Sequence, residues 1–220
     1  MKQDNKSWFS KSRVETFSDG VFAIIITILV LELRVPKITN QNSSKDLAEA
    51  LLLIFPKFLS WVVSFFMVCV IWVNHHRIFE SITHITYKIF WYNAYLLLWC
   101  AFIPFPTALV GDYPGNKLSS FIFGIVMSLM GFGFVFLRKT IIRERLLIEK
   151  VDENNFKKDN FNSLFFGCIL YFIGALAAWL HPLISLIIYA LIPFYFILLN
   201  IRTGKDLVKS ANKNYSELNC

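Results

Sequence analysis

Asp19 is a carboxylate set inside an apolar run, the first residue whose placement demands chemistry. Arg13 stands six positions before it and Ser18 directly beside it, in the stretch Arg13-Val14-Glu15-Thr16-Phe17-Ser18-Asp19-Gly20. An acid there either caps the positive end of a helix at a membrane interface or joins a buried polar cluster. The cluster would need partners from elsewhere in the chain, and donors are available. A second apolar run ends in Trp72-Val73-Asn74-His75-His76-Arg77, and a third carries Trp91, Tyr92 and Asn93. Indole N–H, imidazole and amide groups can each satisfy an aspartate away from water.

Other chemistries find less support. The histidines are His75, His76, His84 and His181, and none stands in a His-Glu-x-x-His arrangement. No two carboxylates oppose each other within the apolar runs, so an enzyme is not expected. Cys69, Cys100, Cys168 and Cys220 lack the close spacing of a zinc site or redox motif and read as unpaired thiols. Neither a resident metal nor a cofactor is expected.

The elements that must position these residues are membrane helices. Of 220 residues, 56% are hydrophobic and 17% charged, whereas soluble domains hold roughly one quarter charged residues. A spanning helix needs about 20 mostly apolar residues. Six such segments are expected, at 14–33, 50–73, 85–110, 118–137, 161–180 and 183–201. The last two are joined tightly at His181-Pro182, and Val110-Gly111-Asp112-Tyr113 reads as part of a plain turn. Residues 1–205 form one all-α membrane domain, and 206–220 a polar tail. The mixed-charge stretch 138–160 reads as an extension of the fourth helix followed by a turn, with a solvated face and no specific partner. The first run continues without a small-residue cleavage site, so no removable signal peptide is expected.

Lys and Arg crowd the N-terminus, the second-to-third loop, the fourth-to-fifth loop and the tail. The opposite loops hold Arg34, Lys37, Lys45 and Lys117. This asymmetry puts both termini in the cytoplasm, and six spans return the chain to its starting side. It also accounts for the basic balance without a nucleic acid or soluble partner.

At 100° per residue, with Ile24 at zero, Gly20, Thr27, Ile28 and Leu31 fall within about 60° of it. Ser18 lies near +120° and Asp19 near −140°, on the other side of the helix. An aliphatic stripe of this kind is by default a packing or lipid-facing surface.

Arg13-Val14-Glu15-Thr16-Phe17-Ser18-Asp19-Gly20 resembles the Arg-x-x-x-Phe-Ser-Asp signature of the transmembrane protein 175 family of potassium channels. The similarity runs on through Glu32, through Trp72 to Arg77, and through Asn93 and Phe102-Ile103-Pro104-Phe105-Pro106-Thr107. It covers roughly the first half of the chain. The second half is similar in its number of spans.

The resemblance implies a six-helix fold in which four copies of the first helix surround a pore. Animal members carry two six-span repeats; a single copy implies a homotetramer. Ile24 takes the narrowest position, Ile28 and Leu31 the next hydrophobic layers, and Thr27 the hydroxyl position beside them. Arg13, Ser18 and Asp19 take the network that fixes the first helix, with Trp72, Asn93 and either His75 or His76 as counterparts. Ile25 and Ile28 depart from the Ala and Leu frequent in the family. Glu32 is a candidate for attracting cations at the mouth, beside its plainer reading as an interfacial acid. The implied function is a potassium-preferring channel of the cell membrane that selects by dehydration, with potassium as permeant ion. A secondary cation transporter and a non-conducting assembly protein are the alternatives. Pro104, Pro106 and Pro193 break two spans without the inverted symmetry expected of transporters.

Overall fold

The computed structural model describes residues 9–198, with the side chains of Ser163 and Phe166 left aside. The chain forms α1 (Lys11–Leu31), α2 (Ser44–Leu53), α3 (Phe55–Glu80), α4 (Tyr87–Phe102), α5 (Pro104–Asp112) and α6 (Lys117–Glu144). It continues as α7 (Glu153–Leu164), a π-helical turn (Phe165–Ile169) and α8 (Leu170–Ala177). After a short turn comes α9 (Pro182–Leu198). Among the described residues the extended backbone is limited to two isolated antiparallel bridges, Phe9 with Ile85 and Ile82 with Leu147. Helix dominates because lipid offers no hydrogen bonds, so each spanning segment must satisfy its own backbone.

Five helical rods are long and apolar enough to cross a bilayer: Lys11–Leu31, Phe55–Glu80, Tyr87–Asp112, Lys117–Glu144 and Glu153–Ala177. Pro182–Leu198 is apolar but shorter, and it reaches the limit of the described residues. The expected sixth segment, 183–201, therefore lies partly outside them, as does the whole 206–220 tail.

Three expected rods are articulated. The second is preceded by a separate helix, α2, whose start is fixed by Ser43: its Oγ accepts from the Asp46 amide at 3.2 Å. The third breaks at Ile103, because Pro104 and Pro106 have no N–H to continue the ladder. The Ile103 N–H takes the Cys100 carbonyl at 3.1 Å, and the regular ladder resumes with Thr107. Its amide and hydroxyl both donate to the Ile103 carbonyl, at 3.1 and 2.9 Å, and its Oγ1 lies 2.8 Å from Ser64 Oγ of α3. The fifth rod carries the π-helical turn, where Ser128 Oγ donates to the Cys168 carbonyl at 3.0 Å. Such turns loosen the regular ladder, and the hydroxyl takes up a carbonyl beside it.

α6 is the hub. It packs against α4, α5, α7 and α8, and much of its length is buried. Gly131 makes the closest approach: a Cβ there would strike the Gly167 carbonyl, so only glycine lets the two backbones meet. Two expectations need correction here. The supposed turn at Val110-Gly111-Asp112 is the last turn of α5, and Lys57 pairs with Asp112 there. The face at 138–160 is not wholly solvated. Arg138 is buried, with its guanidinium 5.0 Å over the Phe156 ring and Nη1 3.8 Å from Asp159 Oδ2. The aromatic ring and the acid of α7 shelter a charge that composition alone assigned to water.

Candidate pore helix and its polar anchor

α1 is apolar from Val21 to Leu31, and β-branched residues there cost little helix because lipid leaves no alternative conformation. Its buried residues are Val14, Ser18, Phe22, Ile25 and Leu29. Counted from Ile24 they fall between about +80° and +160°, a single arc that faces α3, α4 and α5. The stripe near zero is left uncovered. Ile24 is 58% exposed, Ile28 40% and Leu31 71%, against 2% for Ile25 between them. Thr27 is also exposed, and its hydroxyl donates back to the Ile24 carbonyl at 2.8 Å, leaving the oxygen lone pairs outward. Phe17 falls near +20° and is 60% exposed, so the stripe continues one turn beyond Gly20. The same angular count could have found it.

Ser18 sits in the middle of the buried arc and is fully buried. Its Oγ donates to the Val14 carbonyl at 2.8 Å and accepts from Asn93 Nδ2 of α4 at 2.9 Å. Asn93 Oδ1 lies 2.8 Å from His75 Nε2 of α3. Because the amide nitrogen is the donor toward Ser18, the amide oxygen must be the acceptor, and His75 carries its proton on Nε2. A directed series of hydrogen bonds thus runs from α3 through α4 to α1, with all three side chains buried. Phe22 meets the His75 ring edge-on at 5.3 Å, and Phe79 stacks on it at 4.3 Å. These rings hold the imidazole in the one orientation that reaches Asn93.

Asp19 takes a different place from its neighbour. About 100° from Ser18, it leaves the buried arc and is exposed. Trp72 Nε1 donates to its Oδ1 at 2.9 Å, so the carboxylate is held at the rim of the α1–α3 contact rather than inside it. His76 belongs to that rim too. It is exposed, stacks on Trp72 at 5.6 Å and lies 3.2 Å from Glu80 Oε1. Of the adjacent histidines, His75 is therefore the one inside the cluster. Arg13 is exposed and makes no hydrogen bond or ion pair with the cluster among the described residues. Glu32, about 100° from Leu31, is half-buried at the lip of a small cleft that Leu33, Lys57 and Asp112 also line. No group of three metal-ligating side chains occurs among the described residues.

The arrangement pins one face of a helix by directional bonds and leaves the opposite face exposed among the described residues. The family model for the endosomal/lysosomal potassium channel TMEM175 matches residues 13–104, the stretch that contains every member of this cluster. A potassium channel of Chryseobacterium sp. (strain P1-3) is 32% identical over 203 residues, covering 90% of this chain and 98% of its own. A potassium channel of Chamaesiphon minutus is 34% identical over 191 residues, 84% of this chain and 93% of the relative. Among solved structures, the crystal structure of a lysosomal potassium-selective channel TMEM175 homolog from Chamaesiphon minutus superposes with a TM-score of 0.75. It is 30% identical and covers 86% of this chain and 96% of that one. With near-complete mutual coverage at this identity, and a pinned first helix that carries the Phe17-Ser18-Asp19 signature, the chain belongs to the TMEM175 family.

Proposed function

We propose that four copies of this chain form a potassium-preferring cation channel, with α1 of each copy on the symmetry axis. The observation that carries this reading is the exposed stripe of Ile24, Ile28 and Leu31 on a helix whose other face is fixed. Lipid would accept the same side chains, so kinship supplies the second support: the Chryseobacterium and Chamaesiphon relatives are named potassium channels. In the assembled channel α9 belongs to the sixth span. Both termini are cytoplasmic, and the protein lies in the cell membrane.

Four Ile24 side chains converge into a dry ring, with Ile28 and Leu31 forming hydrophobic layers toward the outside and Phe17 extending the lining inward. A narrow apolar ring tends to lose its water, and an ion must shed hydration to cross it. Potassium gives up water at lower cost than sodium, so the ring favours potassium without carbonyl ligands, though less sharply than a carbonyl filter. Thr27 offers its hydroxyl oxygen beside the constriction. Ser18, Asp19, Trp72, His75 and Asn93 set the rotation of α1, which decides whether Ile24 or the flanking Ala23 and Ile25 meets the axis. Arg13 stays outside this network, since it is exposed and bonds none of its members among the described residues, and Glu32 acts on cations as a charge near the mouth. No enzymatic step and no cofactor is involved.

The test is recording from the purified chain reconstituted in planar bilayers under opposed potassium and sodium gradients. Unitary currents that reverse toward the potassium equilibrium potential are expected. Ile24→Asn should raise unitary conductance severalfold and move the reversal potential toward that of an unselective pore. Conductance and reversal potential unaffected by Ile24→Asn would remove Ile24 from the constriction. Saturable exchange without unitary events would make the protein a transporter.

A further inference from the structure

The end of the molecule that carries the N-terminus of α1 holds a second set of contacts outside the polar cluster. The α3–α4 turn, residues 81–86, is gripped from two sides. On one side lies the elbow between α6 and α7. It begins with Arg145 in the left-handed region, at φ 54°, which turns the chain sharply off the end of α6. The elbow then pairs with the turn through its backbone. Thr83 N–H donates to the Leu146 carbonyl at 2.9 Å, and Ile148 N–H donates to the Ser81 carbonyl at 3.0 Å. Glu144, the last residue of α6, accepts from Thr86 Oγ1 and from Lys88 Nζ, each at 2.8 Å.

On the other side of the turn lies the root of α1. Lys11 Nζ donates to the Ile82 carbonyl at 2.9 Å. Phe9 bridges to Ile85 through the backbone and stacks on Phe90 with ring centroids 4.2 Å apart. Ile82 and Ile85 are themselves almost wholly buried. The turn therefore cannot shift toward or away from the elbow without dragging the first residues of α1 or breaking these bonds. Packed elements of this kind have few discrete arrangements rather than a continuous range.

We infer that Glu144 and the elbow residues Leu146 and Ile148 are positioning residues for the pore helix, acting on its root through the 81–86 turn. This rests on the proposed pore role of α1. Displacing the elbow moves the root of α1 and changes how often the constriction is open, while the side chains that meet the ion stay the same. The fourth-to-fifth connection, far from the pore lining in sequence, becomes the handle by which a signal on that face of the membrane reaches the gate.

The experiment compares the full chain with Glu144→Gln, Thr86→Val and Lys11→Met in the same bilayer recordings. Each is expected to shift open probability about fivefold or more, in keeping with ordinary coupling between sites. Unitary conductance and reversal potential should stay at their original values, a split that general misfolding would not give. Because the contacts act in series, Glu144→Gln with Lys11→Met should change open probability no more than the stronger single variant. Amide exchange supplies a readout that needs no current. Thr83 and Ile148 amides should exchange slowly in the unaltered chain and about tenfold faster in Glu144→Gln. Unchanged open probability in all three variants, or a change in unitary conductance, overturns the inference. So do additive effects in the double variant or fast exchange at both amides in the unaltered chain. If Ile24→Asn leaves conductance untouched, the pore reading fails separately, whatever the exchange rates show.

Discussion

The front and rear of this molecule are held together by different physics. In front, α1 is fixed to α3 and α4 by His75, Asn93 and Ser18, three polar groups with one consistent direction of donation. At the rear, α6 is fixed to the α7–α8 rod by backbone contact, with Gly131 against Gly167 and Ser128 reaching the Cys168 carbonyl. Shape alone can seat two helices tightly, but a smooth apolar surface tolerates small rotations. Directional bonds do not. A helix that must keep Ile24 outward and Ile25 inward, one residue apart, needs its rotation specified. The polar cluster stands on that helix, and the small-residue contact stands where only close approach is needed.

That contrast can be broken by substitution. The largest effect is expected at the rear. Gly131→Leu puts a side chain into the Gly167 backbone, where no flexible group can yield, and should cost about 3 kcal/mol or more. Little folded protein should survive size-exclusion chromatography in detergent. Next comes Asn93→Leu, which leaves both His75 Nε2–H and Ser18 Oγ buried without their partner. A loss of about 2 kcal/mol is expected, read as a lower melting temperature in detergent together with altered unitary conductance. If conductance is unaltered while stability falls, the cluster is packing only and does not set the rotation of α1.

Ser18→Ala sharpens the comparison further. It removes the last side chain of the series at a cost of about 1 kcal/mol, and combined with Asn93→Leu it should add little, since the shared bond is already gone. Trp72→Phe, at the exposed rim, should cost about 0.6 kcal/mol, the average found for hydrogen bonds between membrane helices. His76→Ala should leave the melting temperature where it was. A large destabilisation from His76→Ala would mean that the rim, rather than the buried series, anchors α1.

Much of this architecture is legible in the residues. The apolar runs mark the rods, and the angular count on α1 separates Ile24, Thr27, Ile28 and Leu31 from Ser18, as their exposures then show. Trp72 and Asn93 could be named as partners because each ends or begins a run at the depth of Asp19. The breaks were less legible. The proline pair after Ile103 signals an interruption, but whether α5 starts again at once depends on Thr107 and Ser64 meeting across two helices. The π-helical turn has no residue signature of its own and exists where Ser128 and Gly131 of α6 meet the other rod. Arg138 reads as a surface charge until Phe156 and Asp159 are folded over it.

The amino-acid order by itself determined that the chain is a set of apolar helices and which stripe of the first one carries aliphatic residues. Periodicity is a local property, and 3.6 residues per turn converts order into angle without knowledge of neighbours. It could not choose between His75 and His76, nor separate the surroundings of Ser18 from those of Asp19. Adjacent residues differ by about 100°, and inward has no meaning until another helix occupies a definite side. Only the placement of α4, with Asn93 within 2.8 Å of one imidazole and 2.9 Å of one hydroxyl, made those distinctions.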